Sequence, residues 1–274
     1  MFDVRNSSPQ LRRAVEAGLR VAIVPIASIE QHGPHLPVGT DWIIGSEVAR
    51  RVAQRVGGFL LPTLPFGTAQ EHGPSWGTVW LRQGTLFAVV QDVLTALEAQ
   101  GFRRAVVLTS HGGNWVIKPA VREFNLNHQK LRALWVAPYD LAAARLAEVL
   151  QAPPGVHADE AETSLMLYLD PSAVCMEQAV DFVPDVGREF LDYARIFEIA
   201  PHGVWGKPSL ASAPKGEQIL QILVDETVAY VNRSFASLER LANPGQQAES
   251  QQGCAPATPA TPERRRRKGG GEPE

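Results

Sequence analysis

Short apolar runs alternate with longer stretches of helical spacing along most of this chain. The first run, Val21-Ala22-Ile23-Val24-Pro25-Ile26-Ala27, is rich in β-branched residues and predicts a buried strand. Trp42 to Ala49 follows with apolar positions spaced for a helix. Phe59-Leu60-Leu61 is a short apolar run, then a Gly- and Pro-punctuated loop fills 62–84 and a helical run spans about 85–99. Ala105-Val106-Val107-Leu108-Thr109 predicts a second core strand, followed by a helical stretch to about 129 and a strand over 131–137. Further helices are predicted over about 158–169 and 215–241. This βα repetition predicts an α/β fold with a mainly parallel sheet and helices on both faces.

Composition narrows the possibilities. A chain of 274 residues with 45% hydrophobic content can bury a sizeable core, and the pattern predicts one domain over 1–241. From residue 242 the composition turns to Pro, Gln, Gly, Ser and Ala, which cannot support a packed core and predicts a disordered tail. That tail carries a basic run, Arg264 to Lys268, with no aromatic neighbours for base stacking, so it reads as a solvated charge run. With 26 basic against 29 acidic residues, net charge gives no reason to expect nucleic acid or a membrane surface as partner. No apolar stretch approaches the roughly 20 residues that span a bilayer, and the N-terminus, with Arg5, Arg12 and Arg13, lacks the apolar core of a secretory signal. Two cysteines, Cys175 and Cys254, make neither a disulfide framework nor a cysteine zinc site. A reducing, cytoplasmic setting is expected.

Three clusters carry candidate chemistry. Directly after the first strand come Glu30, His32, His35 and Asp41, four potential metal ligands within a dozen residues. Extended backbone projects residues i and i+2 to one side, so Glu30 and His32 are expected to share a cavity while Gln31 faces away. Asp41 lies near a helix start and reads either as a ligand or as an N-cap. Ser110-His111-Gly112-Gly113-Asn114 follows the second core strand, where a His and two glycines suit a metal site, an oxyanion hole or a phosphate-binding turn. Neither the dinucleotide fingerprint nor the P-loop spacing is present. The third cluster holds His157 at a helix start and Glu162 at the polar edge of an apolar helix face. Asp159 and Glu160 read as first-turn acidic residues, whereas an inward Glu162 beside Leu165 and Met166 needs a cation or a donor to offset its burial.

Taken together, Glu30-x-His32-Gly33-x-His35-Leu36-Pro37 with Asp41, His111-Gly112-Gly113-Asn114, and His157 with Glu162 to Leu167 resemble the creatininase family of metal-dependent amidohydrolases. Trp76-Gly77-Thr78 after His72, and Gly203-Val204-Trp205-Gly206 before Pro208 to Ala211, extend the resemblance over about 20–240. The resemblance implies a three-layer αβα fold, a homo-hexamer and two divalent metal ions per subunit. By position, Glu30 and His111 would hold one metal, His32 the other, and Asp41 would bridge them, while His157 would serve the substrate amide and His35 would order the loop or sit behind the ligands. Creatininase itself has a carboxylate ligand two residues after the His, where this chain has Gly113, so Glu162 or water is left to complete the second metal. Mixed His and carboxylate donors suit zinc, manganese or ferrous iron.

The expected function is therefore hydrolysis of a non-peptide C–N bond in a small-molecule amide, a cyclic amide or a formamide, by metal-activated water. His157 or Glu162 would deliver a proton to the departing nitrogen. The alternatives are a peptidase-type member trimming a small modified peptide, and a non-catalytic metal-stabilised binding or assembly protein. Substrate choice is expected to lie in the 65–84 loop and near Tyr139 and Trp205, whose aromatic rings suit either a pocket wall or ordinary core and interface packing.

Overall fold

A computed structural model describes residues 1–153 and 155–242 of the chain; the basic run predicted to be solvated lies outside them. In chain order the strands and α-helices are β1 (Phe2–Asp3), α1 (Ser8–Glu16), β2 (Val21–Ile26), α2 (Thr40–Val56), β3 (Phe59–Leu60), α3 (Gln83–Ala99) and β4 (Arg104–Thr109). They continue with α4 (Ile117–Asn127), β5 (Arg132–Val136), α5 (Pro138–Leu146), α6 (Glu160–Leu169), α7 (Ile196–Ile199) and α8 (Ala213–Ala242). One compact unit spans Met1–Phe235; of the second, Ala236–Glu274, the described residues are the last turns of α8. No helix among the described residues is long and apolar enough to cross a membrane.

All five strands run parallel, in the order β1-β3-β2-β4-β5. Alternating residues of each strand serve the two faces. Ala22 and Val24 of β2 and Ala105 and Val107 of β4 pack against Leu86, Val90 and Leu94 of α3 and Ile117, Val121 and Phe124 of α4. Ile23, Val106 and Leu108 are fully buried at the alternate positions, where α2 packs on β2 and α6 packs on α2. The result is the expected three-layer αβα arrangement. The segments that sequence pattern missed are the short or shallow ones. α1 buries no residue completely and offers only partly buried Leu11 and Val15 to the core, and β1 is two residues long, so neither shows a readable period.

Register decides where the chemistry gathers. β2 pairs with β4 from Val21↔Arg104 to Ile26↔Thr109, so both strands end at the same level. The segments after them, carrying Glu30 and His111, therefore leave the sheet side by side at its carboxyl edge. Asn114 ties these exits together: its Nδ2 donates to the Ala27 carbonyl at 3.1 Å and its Oδ1 accepts from the Thr68 amide at 2.8 Å. Helix α2 starts at Thr40 with Gly39 as its cap and no side-chain cap bond, so Asp41 is not an N-cap.

α2 also lies close to the turn after β4. A Cβ added at Gly45 would stand 2.4 Å from Ser110 Oγ and 2.8 Å from Ser110 Cβ, and Ser110 Oγ donates to the Asp41 carbonyl at 2.9 Å. Gly45→Ala is expected to cost about 1–3 kcal/mol by overpacking, read as a lower urea midpoint with an unchanged slope. An unchanged midpoint would mean that the turn yields without strain.

Candidate metal centre

Glu30, His32, Asp41, His111 and His157 are all buried, and Glu162 has a side-chain exposure of 13%. The structure brings the six together at the sheet edge. His111 Nδ1 lies 3.1 Å from Glu30 Oε2 and 3.3 Å from Asp41 Oδ2. His32 Nε2 lies 3.7 Å from Asp41 Oδ1 and 3.7 Å from Glu162 Oε2. The two oxygens of Asp41 thus face different histidines. Three groups have ligand atoms mutually within 4.8 Å: Glu30 with Asp41 and His111, His32 with Asp41 and Glu162, and Glu30 with His32 and His157.

Local hydrogen bonds aim these side chains. His32 Nδ1 donates to the Glu30 carbonyl at 3.0 Å, which fixes the ring with Nε2 directed at the carboxylates. Glu162 sits in the first turn of α6, behind the N-cap Asp159, whose side chain accepts from the Ala161 and Glu162 amides. Its own Oε2 accepts from the Ala158 amide at 2.6 Å. Ala158 holds a positive φ of 50°, a left-handed turn that an L residue enters at a cost and that separates His157 from the helix. His157 Nε2 donates to the Gln31 carbonyl at 2.6 Å, and its Nδ1 stands 3.6 Å from Glu30 Oε1.

The polar atoms at the centre are not satisfied by the protein. Glu30 Oε1, His32 Nε2 and Asp41 Oδ2 are buried with no hydrogen-bond partner. Each buried orphan costs about 1–3 kcal/mol or more, and three that converge with mixed N and O chemistry fit a divalent cation. Burial pushes the Glu30 carboxyl up. Burial pushes Asp41 the same way, but His111 and His32 hold it below the usual carboxylate range. Burial opposes charge on His32, yet Asp41, Glu162 and Glu30 outweigh it and raise its pKa to about 10. Glu162 is raised to about 8, chiefly by burial. His157 is driven well below its ordinary value by burial and by His32, so it is neutral.

Three neighbours escaped the sequence reading. His72 is buried, and its Nε2 lies 3.2 Å from Glu30 Oε1 while its ring packs 4.3 Å from that of His157. Gln31, expected to face away, is buried instead, with Nε2 2.9 Å from His72 Nδ1 and 3.2 Å from His157 Nε2. The chain turns sharply at Gly33, with a φ of 65°, so strict strand alternation does not hold there. Glu71, on the same short 3-10 turn as His72, places Oε1 3.4 Å from His111 Nε2. A Cβ at Gly113 would lie 2.1 Å from that Glu71 oxygen and 2.4 Å from His111 Nε2. Gly113 therefore makes the room through which Glu71 reaches His111. The adjacent Glu71-His72 pair inside a long loop was the available signal.

The remaining candidates separate clearly. His35 joins none of the metal-capable groups, and its Nε2 lies 3.0 Å from Thr163 Oγ1, tying the loop to α6. Glu160 is an acidic residue of the first turn of α6, as expected, and it is also buried, receiving the Gln151 and Ala152 amides and Lys215 Nζ. A cavity of about 480 Å³ opens beside the centre, with His111, Glu162 and Tyr139 on its wall. None of its lining residues comes from 65–84, and Trp205 is not among them. Trp205 packs with Ile196 and Ala200, and its backbone pairs with that of His157.

Known proteins share this fold. The family profile described as "Creatininase: Creatinine amidohydrolase" matches residues 5–231. The creatinine amidohydrolase of Pseudomonas putida is 28% identical over 247 residues, covering 81% of this chain and 92% of its own. A mycofactocin precursor peptide peptidase of Mycobacterium ulcerans is 28% identical over 229 residues, covering 77% of this chain and 84% of its own. A crystal structure of creatininase superposes with a TM-score of 0.74 at 28% identity, covering 85% of this chain and 97% of its own. Solved creatininases include a variant of Zn-Zn type and a Mn form, each 27% identical. With the profile spanning most of the chain, and the fold shared with solved creatininases, this protein belongs to the creatininase family of hydrolases.

Proposed function

We propose that this protein is a metal-dependent amidohydrolase that cleaves a C–N bond in a small-molecule amide, a cyclic amide or a formamide. The observation that carries this reading is the sharing of Asp41 between two metal-capable groups, one with Glu30 and His111 and one with His32 and Glu162. Glu162 offers His32 and Asp41 the carboxylate that Gly113 cannot supply, which favours a working centre over a non-catalytic relic. A cavity of about 480 Å³ suits a small ligand, and so favours a small amide over the peptide of the mycofactocin relative. Zinc, manganese and iron all remain compatible with the donors.

Two bound divalent ions would supply an activated water and polarise the amide carbonyl. The chain's own groups do the rest. Glu162 lies on the cavity wall, where its carboxylate can serve either as a ligand of the second ion or as the proton donor to the departing nitrogen, which leaves poorly as an anion. His157 is a second proton-handling group, since the Gln31 carbonyl takes its Nε2 proton and leaves Nδ1 as an acceptor facing Glu30. His72 stands behind Glu30, and the Gln31 carbonyl holds His157 in place. A homo-hexamer, a cytoplasmic setting and a single domain over 1–241 belong to the same proposal, the first testable by light scattering of the purified chain.

The test combines metal analysis with a hydrolysis screen of creatinine, hydantoins, small lactams and formamides in zinc, manganese and iron. About two ions per chain and turnover of at least one amide class are expected. Fewer than one ion per chain after reconstitution, with unchanged stability, would overturn the reading. Glu71→Gln is expected to weaken metal affinity by about 10–100-fold, the usual cost of losing an outer partner of a metal-binding His, measured by competition with a chelator. Unaltered affinity would remove Glu71 from the centre.

A further inference from the structure

The cavity beside the centre has a chemistry of its own. At one end are His111 and Glu162; elsewhere on its wall are Arg188, Lys118, Trp115 and Trp135. Arg188 stands directly over the His-Gly-Gly turn: a Cβ at Gly112 would lie 2.1 Å from its Nη2 and 3.2 Å from its Cζ. Gly112 thus admits a guanidinium one residue away from His111. Arg5, Arg50, Arg55 and Arg145 all pair with carboxylates. Among the described residues, neither Arg188 nor Lys118 has a carboxylate partner, and Lys118 Nζ rests 4.9 Å from the centre of the Trp135 ring.

A second observation points the same way. Trp135 Nε1 and Tyr139 Oη are buried without hydrogen-bond partners, and both residues line this cavity. An indole N–H can only donate. The Tyr139 phenol is held well above its ordinary pKa by burial and by the carboxylates of Glu162, Asp159 and Asp41, so it keeps its proton and donates too. Asp159 carries acceptors, but its carboxylate already receives the Gly155, Ala161 and Glu162 amides, and Asp140 is an exposed residue at the wall. Away from the metal-capable groups the free polar inventory is therefore four donors, two of them cationic, beside the single free carboxylate of Asp140 and between two indole faces.

From this juxtaposition we infer that the substrate is a planar amide bearing an anionic group, a carboxylate or a phosphate, which Arg188 and Lys118 receive while the amide meets the centre. Arg offers the planar fork that matches either anion, and Lys a point charge. Trp115 and Trp135 supply flat apolar contact. The inference rests on the hydrolytic reading above and adds the substrate class.

Calorimetry on the metal-loaded full-length protein tests it with benzoate, phenyl phosphate and neutral benzamide as probes. At least one anion is expected to bind about tenfold or more tightly than benzamide, and Arg188→Gln is expected to weaken that anion by about tenfold or more, with Lys118→Gln acting in the same direction. The stronger of the two anions identifies the carboxylate or the phosphate source. An anion held by the metals alone would keep its affinity in both variants, which would overturn the inference, as would equal binding of benzamide. Hydrolysis of formanilide and 4-formamidobenzoate, followed in parallel, separates the two readings. Arg188-dependent anion binding without hydrolysis keeps the anion site and rejects the amidohydrolase. Hydrolysis with no preference for the carboxylated formanilide does the reverse.

Discussion

Asp41→Ala is expected to lower the occupancy of both metal positions and to reduce hydrolysis by about a thousandfold or more. The expectation follows from the split of its carboxylate, with Oδ2 3.3 Å from His111 Nδ1 and Oδ1 3.7 Å from His32 Nε2. Removing either other carboxylate would leave one of these two groups whole; removing Asp41 leaves neither. Metal stabilisation of developing charge is worth several kcal/mol, and each 1.36 kcal/mol is a factor of about ten in rate, which sets the size of the loss. Elemental analysis of the purified variant beside the parent checks it. Full metal content together with undiminished turnover would refute a bridging Asp41.

For His157→Ala the expected pattern is different: metal retained, turnover slowed by about 10²–10⁴-fold, the usual contribution of a positioned proton-transfer group. The neutral ring is wedged between two others, with centroids 4.2 Å from His32 and 4.3 Å from His72, and its Nδ1 faces the cluster. The same residue completes a metal-capable group with Glu30 and His32, so the variant decides between two roles. Loss of metal comparable to that in Asp41→Ala would make His157 a ligand. Intact metal and intact turnover would leave it with packing alone. A thermal melt beside the kinetics separates both outcomes from simple unfolding.

Much of the centre was legible because its residues sit where apolar runs stop. Glu30, His32 and His111 follow β2 and β4, and a parallel sheet puts those ends at one edge whatever the loops do. Glu162 was legible for an energetic reason, since a carboxylate next to Leu165 and Met166 needs a cation or a donor. Gln31 was misread because alternation presumes extended backbone, whereas the chain bends at Gly33. Trp205 takes the core-packing reading of the two that its aromatic character left open: its ring packs on Ile196 and its backbone pairs with His157.

By itself the sequence determined the βα alternation, the parallel sheet and the chemistry of the three clusters, because periodicity and strand ends are local properties of the chain. Tertiary structure alone decided which oxygen of Asp41 faces which histidine, that Gly113 opens a path for Glu71, and that His72 lies against Glu30. It also decided that Arg188 reaches Gly112, a contact between residues more than seventy positions apart. Such contacts depend on how loops pack over the sheet edge at sub-ångström precision. No spacing along the chain encodes them, since the distances are set by what the intervening elements bury.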